Sequence, residues 1–159
     1  MSKTNLTERA ARLADLDAVN QALIQHCRSL DAQDLDAFLE QFDETFSYSY
    51  NGFVLTDRNK LGKAASRQWQ VLRKTTHLLG NVTVDLVPGG DAGREEHAVA
   101  ISDCLALTVS ADGDMELVTA AYRDRLVKRD GGWRFAERVI ETGGPFALEN
   151  RDDPHRRQF

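Results

Sequence analysis

Residues 115–142 read MELVTAAYRDRLVKRDGGWRFAERVIET. Two runs rich in β-branched and aromatic residues flank Asp130-Gly131-Gly132, a turn tripeptide. The stretch therefore reads as two long antiparallel strands, Met115 to Lys128 and Trp133 to Thr142. Upstream, Val99, Ile101, Leu105, Leu107 and Val109 mark one face of another strand, and Asp112-Gly113 turns the chain out of it. Before that, Val82, Val84 and Leu86 alternate with Asn81, Thr83 and Asp85, and Pro88 to Gly93 is a loop. Four long strands on tight connections make an antiparallel meander.

The N-terminal half is different. Leu6, Ala10, Leu13, Leu16, Val19, Leu23, Ile24, Cys27 and Leu30 recur at helical spacing, which predicts a helix from about Thr7 to Leu30, with a break near Asp15. Asp34 suits the N-cap of a short helix carrying Leu35, Phe38, Leu39 and Phe42. Thr45 to Tyr50 reads as a strand that Asn51-Gly52 turns into Phe53 to Leu55, and helical spacing returns from Asp57 to Leu72. Helices followed by a meander define an α+β domain, with a curved antiparallel sheet closing as a cone over the helices. A cavity at the open end is the default ligand site.

The 159 residues fit one domain, expected over residues 1–143, with a polar tail over 144–159. A net charge of −5, with 20 Lys and Arg scattered among 25 acids, points away from nucleic acid. Two well-separated cysteines suit a reducing compartment. Met1 to Arg9 carries no apolar signal core, and no run approaches the roughly 18 apolar residues of a membrane span. A cytoplasmic protein is the expectation. Val118, Ala120 and Tyr122 alternate with Met115, Leu117 and Ala121, so both faces of one strand are apolar. That predicts an outer face covered in a homodimer or homotrimer.

Six residues are candidates for chemistry. His77 suits a general base near neutral pH, or an ordinary surface or core histidine. It shares parity with Asn81, Thr83 and Asp85, and faces inward only if a bulge at Gly80 switches the strand. Asp103 is the one charge in the row Val99, Ile101, Asp103, Leu105, Leu107, so it reads as pocket lining or as half of an ion pair with Arg123 or Arg125. Asp31 ends the first helix, as a site residue or a turn aspartate. His26 lies about 140° around an ideal helix from Asp31, so the two are not same-face neighbours, and the expectation is that each borders a cavity at the helix end. Tyr48 and Tyr50 share a strand face, for ligand contact or for packing. His26, Cys27, His97 and Cys104 lack zinc-site spacing, and no phosphate loop or nucleophile elbow is present, so neither a metal nor a cofactor is expected.

Residues 28–42, Thr76-His-Leu-Leu-Gly-Asn-Val-Thr-Val84 and Tyr122-x-Asp-x-Leu-Val-x-Arg-Asp-Gly-Gly-Trp133 together resemble the nuclear-transport-factor-2-like superfamily, SnoaL-like branch, over about residues 8–142. Scytalone dehydratase, bile acid 7α-dehydratase and hexachlorocyclohexane dehydrochlorinase belong there and use a His–Asp dyad. The resemblance implies that Asp31 and His77 form that dyad, and that Asp103 takes an acidic pocket position of the bile acid enzyme. His26 and Leu30 stand where two of these enzymes carry a phenolic acid, which leaves Tyr48 or Tyr50 to replace it. The implied function is a cofactor-independent lyase or isomerase of a hydrophobic cyclic small molecule, steroid-like or polyketide-like. The alternatives are a noncatalytic subunit resembling the dioxygenase β chain, or a ligand-binding member.

Overall fold

A computed structural model describes residues 3–89, 95–130 and 132–148. The elements are α1 (Lys3–Ala32), α2 (Leu35–Glu40), β1 (Phe42–Tyr50), β2 (Phe53–Leu55), α3 (Arg58–Val71), β3 (Leu72–Val87), β4 (His97–Ser110), β5 (Met115–Arg129) and β6 (Gly132–Leu148). Part of the expected 88–93 loop, and Gly131 of the last turn, lie outside the described residues.

Helix α1 runs unbroken through Asp15, against the expected break. That carboxylate caps nothing. It pairs with Lys128 Nζ at 2.7 Å and accepts from Trp133 Nε1 at 3.3 Å, which ties the helix to β5 and β6. The helix ends in a 6→1, 5→2 hydrogen-bonded turn. Gln33 takes φ 55°, its N–H donates to Leu30 O at 3.1 Å, and the Asp34 N–H donates to Ser29 O at 2.9 Å. Asp34 then caps α2 by accepting from the Ala37 N–H at 3.0 Å, and Asp57 caps α3 by accepting from the Lys60 N–H at 2.8 Å.

The sheet order is β2-β1-β6-β5-β4-β3. The expected hairpin and meander are antiparallel, but β1 lies parallel to β6, so the sheet is mixed. A parallel neighbour needs a long connection, and the whole chain between β1 and β6 supplies one. The helices pack on its inner face around Val19, Leu23, Phe38, Phe42, Phe46, Leu126 and Phe135. Each such buried side chain contributes about 1.5–3 kcal/mol.

Two strands depart from the expected pattern. In β4 the buried row is Ala98, Ala100, Ser102, Cys104 and Ala106, while Val99, Ile101, Asp103 and Leu105 are exposed. The small side chains face the helices, and the larger apolar row faces outward. Strand β6 continues past the expected boundary at 143, pairing Phe146, Ala147 and Leu148 with β5. Residues 149–159 lie outside the described part.

Strand β3 changes phase. Asn81 and Val82 together oppose one residue of β4, between the pairs Gly80–Asp103 and Thr83–Ile101, and Asn81 takes φ 49°. Before this bulge Thr75, His77 and Leu79 face inward; after it Val84 and Leu86 do. The switch that places His77 inside is therefore present, at Asn81–Val82 beside Gly80.

Candidate active site

Asp31 stands in the last turn of α1, where the helix dipole disfavours a carboxylate and no basic side chain offsets it. Strand β3 supplies the compensation. The Thr75 hydroxyl donates to Asp31 Oδ1 at 2.9 Å, the His77 backbone N–H donates to Oδ2 at 2.9 Å, and His77 Nδ1 lies 2.6 Å from Oδ1. The imidazole and the carboxylate are 14% and 26% exposed, so the pair is partly shielded from water. A carboxylate on Nδ1 selects the tautomer that keeps its proton there, and Nε2 is left as the basic nitrogen. Among the described residues, nothing hydrogen-bonds to Nε2.

His77 lines a cavity of about 100 Å³ with Tyr48, Tyr50, Gln68, Trp69, Thr75 and Tyr122. Leu30, Tyr48, Tyr50 and Gln68 also border an adjoining apolar space of about 230 Å³, walled by Phe53, Leu55, Leu61 and Ala65. A site with one polar lobe and one apolar lobe follows. The expected tyrosines are both there. Burial pushes the Tyr48 phenol up to about 12, so near neutral pH it keeps its proton and acts as a donor, whereas Tyr50 is 42% exposed at the mouth.

Asp103 is not in this cavity. It faces outward on β4, where the Asn81 amide donates to its Oδ2 at 2.7 Å. It does not take the expected ion pair either, since Arg123 pairs with Glu141 and Arg125 with Glu95. It borders a broad depression of about 700 Å³ on the outer sheet face with Leu78, Leu105, Ala121 and Glu141. That depression is larger than the inner cavity, but it lies on the other side of the sheet from the His77–Asp31 pair.

His26 is also elsewhere. It is fully buried among Phe38, Phe42 and Phe135, with ring centroids 5.2, 5.8 and 5.4 Å away, and it borders neither cavity lobe. Both ring nitrogens lack hydrogen-bond partners among the described residues. Burial, then Arg138 and His77, hold it well below 6.5, so it is neutral.

Behind the cavity sit groups that the sequence reading did not single out. Arg138 and Asp124 form a cross-strand ion pair, Nε to Oδ1 3.0 Å, with both side chains fully buried. The Nε contact misses hydrogen-bond angles, but Arg138 Nη2 donates to Oδ2 at 3.1 Å. The guanidinium lies 4.6 Å from the Tyr122 ring centroid and 4.5 Å from that of Phe135. Burial raises the Asp124 carboxyl to about 6 despite the attraction of Arg138. Cys27 and Cys104 pack with Tyr122 in one buried cluster, where their mutual hydrogen bond pulls the Cys104 thiol down and pushes the Cys27 thiol up. Trp69 continues the inward row Leu61, Ala65 of α3, a periodicity that marks it for the pocket, and the exposed Gln68 beside it borders both lobes. Thr75 shares the parity of His77 and was legible in the same way. Among the described residues, no group of three or more His, Cys, Asp or Glu could hold a metal ion. No described helix is long and apolar enough to cross a membrane.

Helices on the inner face of an open, curved, mixed sheet, with a cavity between the layers, define a nuclear-transport-factor-2-like α+β domain. The SnoaL-like domain model matches residues 11–139, and the chain belongs to that family. Among solved structures, it is similar to a provisionally assigned scytalone dehydratase from Novosphingobium aromaticivorans. The TM-score there is 0.78 at 23% identity, over 90% of this chain and 93% of that one. It is also similar to a type 2 hexachlorocyclohexane dehydrochlorinase, with TM-score 0.76 at 18% identity over 87% and 92% of the two chains. A provisionally assigned aromatic ring hydroxylase from Novosphingobium aromaticivorans gives TM-score 0.75 at 17% identity over 86% and 94%. At these identities the likeness shows the fold. No curated protein matches the chain.

Proposed function

We propose that the protein is a cofactor-independent lyase or isomerase of a hydrophobic cyclic small molecule, with His77 as its base. The observation that carries this reading is the 2.6 Å His77–Asp31 contact on the wall of a cavity whose other lobe is apolar. Nε2 of His77 removes a proton from the carbon beside a carbonyl or beside the carbon that bears the leaving group. Asp31 holds the ring and stabilises the imidazolium that forms. Tyr48 donates its phenolic hydrogen bond to the oxygen on which charge develops or that departs. The apolar lobe holds the rest of the substrate out of water. The dehydratase and dehydrochlorinase names among the similar structures lend support to elimination.

The test uses cyclic β-hydroxy ketones and β,γ-unsaturated cyclic ketones, since elimination of water and double-bond migration both yield a conjugated enone visible by ultraviolet absorption. His77→Ala loses about 10²–10⁴-fold in turnover with the fold intact. Asp31→Asn loses somewhat less, and the double variant is little worse than His77→Ala, because the two groups act as one unit. Retained turnover in folded His77→Ala sinks the mechanism. A noncatalytic subunit would show no turnover in any form, and both substitutions would change only its melting temperature.

A further inference from the structure

The carboxylate of Asp31 is held by more than its histidine. Its Oδ1 accepts two hydrogen bonds, from His77 Nδ1 and from the Thr75 hydroxyl, and its Oδ2 accepts the His77 backbone N–H. Without the hydroxyl, both remaining donors come from one residue, and the carboxylate is free to rock about that single attachment. The need for a further donor is electrostatic as well, because Asp31 sits at the negative end of a 30-residue helix with no basic residue in its last turn. Thr75 is 6% exposed, so water competes poorly for this hydrogen bond. Its β-branched side chain on a strand also has few rotamers, which fixes the direction of the hydroxyl before any substrate arrives.

We infer that Thr75 is a positioning residue that completes the His77–Asp31 pair, fixing the carboxylate so that Oδ1 stays in line with Nδ1. This rests on the dyad reading above. Thr75 acts through Asp31, and its contribution is to orientation rather than to proton transfer. A Ser in its place keeps the donor. A Val keeps the shape and presses a methyl group against the carboxylate. An Ala leaves Oδ1 with one donor and no clash.

The experiment reads the ring directly and needs no substrate. Nitrogen-15 and proton spectra of His77 are recorded for the full chain as wild type, Thr75→Val, Thr75→Ala, Thr75→Ser and Asp31→Asn, with circular dichroism on the same samples. In the wild type the Nδ1 proton resonates at low field, as a short hydrogen bond to a carboxylate requires, and Nε2 reports the unprotonated tautomer. In Thr75→Val and Thr75→Ala that proton moves upfield and the tautomers mix, while Thr75→Ser keeps the wild-type spectrum. Once a substrate is in hand, the Val and Ala variants lose about tenfold in kcat with KM nearly unchanged, and Ser restores it. A wild-type spectrum in both Val and Ala variants overturns the role of Thr75. If Val fails to fold, Ala alone decides. If Asp31→Asn also leaves the ring signals unmoved, the dyad itself is wrong, so the two failures are told apart.

Discussion

Arg138 and Asp124 face each other from adjacent strands in the interior, 3.0 Å apart at Nε and Oδ1, with no solvent access to either side chain. Removing one partner leaves the other charged and unpaired in a medium that solvates it badly. Asp124→Ala or Arg138→Ala is therefore expected to cost about 3–5 kcal/mol in urea unfolding. The double variant Asp124→Leu with Arg138→Met, which fills the space with apolar atoms, should lose less than either single change. A double variant as unstable as the two singles added together would contradict this.

His26 gives the protein an acid-sensitive core. Its folded-state pKa lies well below 6.5, so below pH 6.5 the unfolded chain binds a proton that the folded chain does not. Stability then falls as pH falls. Asp124 works in the opposite sense, since its carboxyl, at about 6, takes up a proton in the fold before the unfolded one does at 3.8. The difference between His26→Leu and wild type isolates the histidine. The variant should gain on the wild type by up to about 1.4 kcal/mol per pH unit below pH 6.5. Parallel stability curves between pH 7 and 5 would refute it.

Asp103 should be dispensable. It is exposed on the outer face and, among the described residues, held by Asn81 alone, so Asp103→Ala is expected to change stability by about 0.5 kcal/mol or less. Turnover should change by less than about twofold, as expected of a group that does not touch the substrate. A large loss of turnover without a loss of stability would place this carboxylate in the chemistry after all.

The outer face carries Leu78 at 62% and Leu105 at 39% exposure beside the 700 Å³ depression, and Ile101 at 48% on the same exposed row of β4. Apolar groups this exposed and this close together are expected to be covered by another copy, in a homodimer or homotrimer. Light scattering at micromolar concentration should report the assembly, and Leu78→Glu with Ile101→Lys should dissociate it. A wild-type monomer mass would contradict the expectation.

Much of this was legible because local chemistry dictated it. Asp34 and Asp57 had the residue type and position of N-caps, and Asn51-Gly52 takes φ of 47° and 83° in the hairpin turn. The end of α1 was less readable, because Gln33 rather than glycine adopts the positive φ. Asp103 was misplaced for a tertiary reason. Alternation identifies two faces of β4 but not which one is inner, and the assembled core takes the alanines rather than Val99 and Ile101. His26 was assigned to the cavity because a helix-end histidine invites that reading, whereas three phenylalanines from α2, β1 and β6 enclose it, contacts that no local pattern announces. The Arg138–Asp124 pair depends on cross-strand register, which only the assembled sheet sets.

The bulge at Asn81–Val82 makes β3 a strand with two reading frames. Odd-numbered residues belong to the interior from Thr75 to Leu79, and the even-numbered Val84 and Leu86 do so after the bulge. Deleting one of the two bulge residues would remove the extra residue, and His77, Val84 and Leu86 would share the inner face of one regularly alternating strand. The bulge is thus what lets an extra residue sit between Gly80 and Thr83 while the segments on both sides of it face inward. Flattening the bulge without removing a residue, by contrast, would turn either His77 or the Val84–Leu86 pair to the solvent side.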